Sequence, residues 1–76
     1  MLDLASIRHA TGLTQIELAA NLGVGQAQIS KIERQADMLI STLASYLAAL
    51  GVDAKIVIDV GEETVTYDLT AGRGAR

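Results

Sequence analysis

The chain of 76 residues has no cysteine, so no disulfide can staple it and no thiolate can ligate a metal or act as a nucleophile. Aromatic residues are almost absent: Tyr46 and Tyr67 are the only two. Half the residues are nevertheless hydrophobic, so a core must be assembled from Leu, Ile, Val and Ala. No apolar run approaches the ~20 residues needed to span a bilayer. The start, MLDLASIRHATG, lacks the basic opening and apolar stretch of a signal peptide. These absences predict a soluble, cytoplasmic chain. Its length predicts one domain, short enough to be marginal alone and to gain from self-association.

Cations are scarce as well. Residues 1–52 carry Arg8, Lys31 and Arg34 against Asp3, Glu17, Glu33 and Asp37, a net of −1. Residues 53–70 carry Lys55 against Asp53, Asp59, Glu62, Glu63 and Asp68, a net of −4. Arg73 and Arg76 then bring the total to −3. The acidity is therefore concentrated in the second part of the chain. Catalytic constellations are missing too. His9 is the only histidine, with no cysteine or second histidine to share a metal, and no Ser/His/Asp set can be built around it. Asp59, Glu62 and Glu63 lack calcium-loop spacing and read as a solvated turn. Nothing points to an enzyme, a cofactor, a metal or a small-molecule ligand.

What the chain does have is a strong local pattern in residues 14–34, TQIELAANLGVGQAQISKIER. Thr14 and Glu17 have the spacing of a capping box, in which hydroxyl and carboxylate satisfy orphan N–H groups reciprocally. Leu18, Ala19 and Leu22 form the inward stripe of a helix over 15–22. Ala19 stands where a larger side chain would push two helices apart. Gly23 follows the last apolar residue, where a left-handed residue ends a helix at little cost. Ile29 and Ile32 anchor a second helix over 26–34. Two short helices joined by a tight turn make a helix-turn-helix, a unit that usually lays its second helix in the DNA major groove.

Around it, residues 2–10 predict a first helix with Leu4, Ile7 and Leu13 inward and Asp3 near its N-terminus, where negative charge is favourable. Ser41 is the expected N-cap of a fourth helix over 42–50, with Leu43, Tyr46, Leu47 and Leu50 on one face and Gly51 as its stop. The period then changes to two. Val52, Ala54, Ile56, Ile58 and Val60 alternate with Asp53, Lys55, Val57 and Asp59; after a turn at Gly61-Glu62-Glu63, Val65, Tyr67 and Leu69 alternate with Thr64, Thr66 and Asp68. Residues 54–69 thus predict a β-hairpin. A lone hairpin is marginal in water and exposes two edges. Its apolar face, Ile56, Ile58, Val60, Val65 and Tyr67, must cover something or pair with a second copy. Swapping strands between copies and folding back on the fourth helix both remain open. Residues 71–76 carry no core residue and are expected to be disordered.

GLTQIELAANLGVGQAQISKIER resembles the helix-turn-helix of the Xre family, the group of the phage repressors and Cro, and residues 3–51 resemble that whole domain. A fifth helix expected from the family is replaced here by the hairpin. DMLISTLASYLAALGVDAKIVIDV, a helix running into an extended strand, resembles antitoxins of type II toxin–antitoxin operons, of the HigA and HipB types. The resemblance implies a mainly α fold with a C-terminal β-hairpin: a lambda-repressor-like helix-turn-helix bundle of four helices plus two strands. It implies a DNA-binding domain over 1–51, a dimerisation element over 52–70 and a tail over 71–76.

Position by position, the resemblance places Gln26, Ala27 and Lys31 at base edges, with Gln28 beside them. Gln can pair with adenine, Ala can pack on a thymine methyl, and Lys can reach guanine or a phosphate. Gln15 falls where the family clamps a phosphate at the helix N-terminus. Arg34 and Ser30 fall beside the backbone. Arg8 and Glu33 are expected to form a structural ion pair across helices one and three, with Arg8 also able to face a phosphate. The implied function is a sequence-specific DNA-binding repressor acting as an antitoxin, with operator DNA, a second copy and a cognate toxin as partners. A stand-alone phage-type repressor, or an interaction module without DNA binding, are the alternatives.

Overall fold

The computed structural model describes residues 2–71. Four helices, α1 (Leu4–Thr11), α2 (Gln15–Leu22), α3 (Gln26–Arg34) and α4 (Ile40–Leu50), precede two strands, β1 (Lys55–Val60) and β2 (Glu63–Asp68). The expected tail lies outside the described residues, apart from Ala71, which is in a turn.

Helix ends follow local chemistry. Asp3 caps α1: its carboxylate accepts from the Ser6 N–H at 3.1 Å and from the Ser6 hydroxyl at 2.8 Å. Those bonds hold the exposed Asp3 carboxyl below its ordinary range. The first helix therefore starts at Leu4, two residues later than hydropathy suggested, because Asp3 takes the cap position. The Thr14–Glu17 capping box is formed on α2. Gly23, at φ +80, ends α2 and donates to the Ala19 carbonyl at 2.8 Å. At α4 the expectation fails: the N-cap is Leu39, not Ser41, and no side chain caps the helix. Leu39 is extended and its carbonyl accepts from Leu43 N–H at 3.1 Å, which starts the helix one turn before Leu43 and puts Ser41 inside it.

The core is aliphatic around one aromatic: Leu4, Leu18, Ala19, Ile29, Ile32, Ala44, Tyr46, Leu47 and Leu50, closed by Leu69. Tyr46, Leu18 and Ile29 are fully enclosed. Leu22 is only half-buried, a correction to the inward stripe of α2, because it stands in the last turn against the core edge. Ala44 is the core residue of α4 that the larger side chains around it obscured in the sequence.

The strands are antiparallel, with Ile56 opposite Tyr67, Ile58 opposite Val65 and Val60 opposite Glu63. Glu63 is therefore a strand residue, and Gly61-Glu62 alone make the turn. Gly61 sits at φ +62, the conformation a two-residue hairpin loop requires. The base of the hairpin is fastened to the helices. Leu69 is buried and its N–H donates to the Ala54 carbonyl at 2.9 Å. The Thr70 hydroxyl, also buried, accepts from the Ala54 N–H at 3.1 Å. Beyond that latch the hairpin stands clear. Val57, Ile58, Val60, Val65 and Tyr67 are all at least half exposed. The hairpin does not fold back over α4 within one chain, because Ile56 is the last of its apolar face to reach the core.

Leu18→Ala should destabilise the chain by about 2–5 kcal/mol, since Leu18 has no solvent-facing atoms into which the site could relax. Urea melts at fixed protein concentration check this; a loss below about 1 kcal/mol would contradict the packing.

Candidate nucleic-acid interface

The turn Gly23-Val24-Gly25 aims α3 so that Ile29 and Ile32 face the core, and the opposite side of the helix faces solvent. Gln26, Ala27, Gln28, Lys31 and Arg34 are exposed there and Ser30 is half-buried. Ala27, Ser30, Lys31 and Arg34 share the side opposite Ile29 and Ile32, with Gln26 and Gln28 on its two flanks. Arg34 donates to the Ser30 hydroxyl at 2.6 Å, which lays the guanidinium along the helix.

Gln15 lies at the start of α2, beside the start of α3. Gln26 Nε2 donates to Gln15 Oε1 at 3.2 Å, and Gln15 Nε2 donates to Glu33 Oε1 at 3.0 Å. The residue expected to clamp a phosphate is thus also the link between the outer row and the interior.

Glu33 is the interior end of that link. Arg8 Nε meets Oε2 at 2.7 Å and Arg8 Nη2 meets Oε1 at 3.3 Å, a two-point contact between α1 and α3. Arg8 Nη1 donates to the Leu13 carbonyl at 3.0 Å. The guanidinium is buried and occupied, so it does not face outward as a phosphate contact. From α4 the Tyr46 hydroxyl donates to Glu33 Oε2 at 2.6 Å, with the Leu4 carbonyl at 3.2 Å as a longer second acceptor. Each carboxylate oxygen accordingly accepts two hydrogen bonds, filling its capacity. Burial alone would raise the Glu33 carboxyl; the bonds from Arg8, Tyr46 and Gln15 outweigh it and bring it down to about 2. Tyr46 moves up, through burial and then through its bond to the carboxylate, so its proton stays on. Arg8 is raised by the same carboxylate.

The role of Tyr46 was missed from the sequence. The signal was there: a single tyrosine in an aliphatic helix stripe buries a hydroxyl that must find an acceptor. His9 is exposed, and among the described residues no group of three potential ligands is placed to hold a metal.

Residues 1–59 match the family model described as a helix-turn-helix domain. The chain belongs to this helix-turn-helix family. It is similar to two candidate antitoxins of Mycobacterium tuberculosis strain H37Rv: HigA3, 46% identical over 90% of this chain and 63% of that protein, and HigA2, 35% identical over 83% of this chain and 64% of that protein. The chain spans slightly less than two thirds of either relative's length. Among solved structures it resembles a DNA-bound HigA3 antitoxin, with a TM-score of 0.79 and 42% identity over 87% of this chain and 88% of that one. It also resembles a HigA antitoxin described for DNA bending induced by a unique dimerization, with a TM-score of 0.76 and 41% identity over 87% and 92% of the two chains. The helix-turn-helix match ends at residue 59, within β1, so most of the hairpin lies beyond it.

The Glu33 carboxyl is depressed in the folded chain, so its stabilisation is present above its ordinary value of 4.5 and is lost as pH falls toward about 2. A carbon-detected titration of the Glu33 carboxyl in the folded protein should show a midpoint near 2; a midpoint at 4.5 would mean that the four bonds do not persist.

Proposed function

We propose that this chain is a dimeric, sequence-specific DNA-binding repressor that serves as the antitoxin of a type II toxin–antitoxin pair. The observation that carries the reading is the outward row of α3, rich in amides and supported from behind by a buried carboxylate, in a chain similar to HigA antitoxins. It acts by binding rather than by catalysis, in the cytoplasm. Residues 1–51 are the DNA-binding part and 52–70 the dimerisation part.

Gln26, Ala27 and Gln28 read base edges from the N-terminal end of α3. Lys31 reaches a base or a phosphate, and Gln15, Ser30 and Arg34 hold the backbone on either side. One copy brings few cations, so its non-specific affinity is low. Two copies double the phosphate contacts and make the second engagement intramolecular. The apolar hairpin face supplies the means. Ile56, Ile58, Val60, Val65 and Tyr67 lie on one side of the sheet, and covering them with the same face of a second copy is an isologous contact. Two recognition helices held roughly 34 Å apart then match successive major grooves of a palindromic operator. Occupancy of that operator blocks transcription. The acidic hairpin, with a net charge of −4 over residues 53–70, suits a basic toxin as the further partner.

Four phosphates neutralised per dimer, by Lys31 and Arg34 of each copy, give a log–log salt slope of roughly −4 in gel-shift titrations; a flat response overturns the DNA reading. Gln26→Ala should cost about 1–3 kcal/mol at one base position, while Arg34→Ala should weaken all sequences alike. Ile58→Lys should remain folded but sediment as a monomer, and an Ile58→Lys dimer would refute the hairpin interface. Co-purification with the product of a neighbouring small gene separates an antitoxin from a stand-alone repressor.

A further inference from the structure

The chain of side chains from the outer row of α3 to the interior has a fixed polarity, and that polarity has a chemical consequence. A glutamine amide can turn by half a rotation, exchanging its carbonyl and amino ends, with little intrinsic preference. Reading adenine requires one order only: the carbonyl toward the N6 amino group and an N–H toward N7. A solvated glutamine must settle that order at the moment of binding.

Here the order is settled in advance. An ionised carboxylate only accepts hydrogen bonds. Gln15 must therefore present its amino end to Glu33 Oε1, as it does at 3.0 Å. Its carbonyl is then the end turned toward α3. A carbonyl likewise only accepts, so Gln26 must present its amino end to Gln15, as it does at 3.2 Å. Gln26 is left with one N–H and its carbonyl for a base, the pair that the adenine edge complements. We propose that Glu33, held by Tyr46, is a positioning residue for base readout, setting through Gln15 which atoms of Gln26 face the DNA. The proposal rests on the reading of Gln26 as a base contact.

Tyr46 matters because the carboxylate itself must not turn. Its Oε2 is held by Arg8 from α1 at 2.7 Å and Tyr46 from α4 at 2.6 Å, while Oε1 takes the longer Arg8 Nη2 bond at 3.3 Å and faces Gln15. Without the hydroxyl the carboxylate loses its shortest bond, and only the Arg8 fork, with its long arm to Oε1, is left to hold it toward Gln15. The amides of Gln15 and Gln26 are then free to populate both orders. The charged phosphate contacts, from Lys31 and Arg34, lie outside this chain, so the expected signature is a loss of discrimination at a single base position larger than any loss of overall affinity.

The test is selection of binding sites from random-sequence duplexes by the full chain, followed by titration of the selected site and its single-base variants against a non-specific duplex. Parent, Tyr46→Phe, Gln26→Ala and the double variant are compared, each checked for folding by circular dichroism. Gln26→Ala identifies the base position in question. Tyr46→Phe should lower adenine preference there by at least about threefold, a larger fall than in its non-specific affinity. In the double variant it should lower that preference no further than Gln26→Ala alone, the non-additivity of groups acting in series. A folded Tyr46→Phe that keeps the parent's preference overturns the proposal. If Tyr46→Phe does not fold, Gln15→Met breaks the same chain at a half-buried position. Its specific-to-non-specific ratio at that base must fall for the proposal to stand, and an unchanged ratio overturns it. A parent that selects no sequence refutes the base-contact reading itself, and the positioning role with it; a parent that selects a site which Gln26→Ala leaves unchanged does the same for Gln26 alone.

Discussion

A carboxylate removed from water is costly unless every lone pair finds a donor. Glu33 meets that condition with two nitrogens of Arg8, the amide of Gln15 and the hydroxyl of Tyr46. The donors come from α1, α2 and α4, while Glu33 belongs to α3. One side chain thus fixes the placement of the outward helix relative to the three others. Aliphatic packing alone constrains such an arrangement loosely, since Leu, Ile and Ala contacts have no direction. The carboxylate supplies the direction, and its depressed pKa follows from the donors that do so.

The same economy bears on the DNA reading. In the DNA binding we propose, Lys31 and Arg34 are the only cations on the outer side of α3, so the amides carry a larger share of recognition. Amides need orientation to discriminate, and orientation is what a buried hydrogen-bond chain provides. Under that proposal, specificity comes from preorganisation and affinity is recovered through a second copy.

The hairpin follows a different logic. Ala54 bonds Leu69 and Thr70 across its base, Leu69 anchors that base in the helical core, and the strands beyond Ile56 are open. Ile58, Val60, Val65 and Tyr67 lie on one side of a two-stranded sheet that the chain itself leaves uncovered, the face that a second copy covers in the dimer we propose. Fastened at its base, the hairpin carries that face away from the helical core. In the dimer we propose, the spacing between the two copies of α3 then depends on the latch as well as on the contact itself.

The helix-turn-helix was legible from the sequence because its determinants are local. Thr14 and Glu17 are one turn apart, Gly23 needs a left-handed conformation, and the spacing of Ile29 and Ile32 defines a helix face. The hairpin was legible for the same reason, from strict alternation. The Arg8–Glu33 pair, 25 positions apart, was reachable only through the family resemblance. Neighbours in space but not in sequence stayed hidden: Tyr46 on the carboxylate, Gln15 facing inward as well as outward, and Thr70 closing the hairpin base. The start of α4 was misplaced because a good capping residue is only a preference, which the path of the chain from α3 overrode. By itself, then, the sequence determined the elements and their amphipathic faces, since these depend on residues within a turn or two of one another. Only the tertiary structure decided which polar atoms meet and which apolar face is left uncovered, because both depend on distances that no local period encodes.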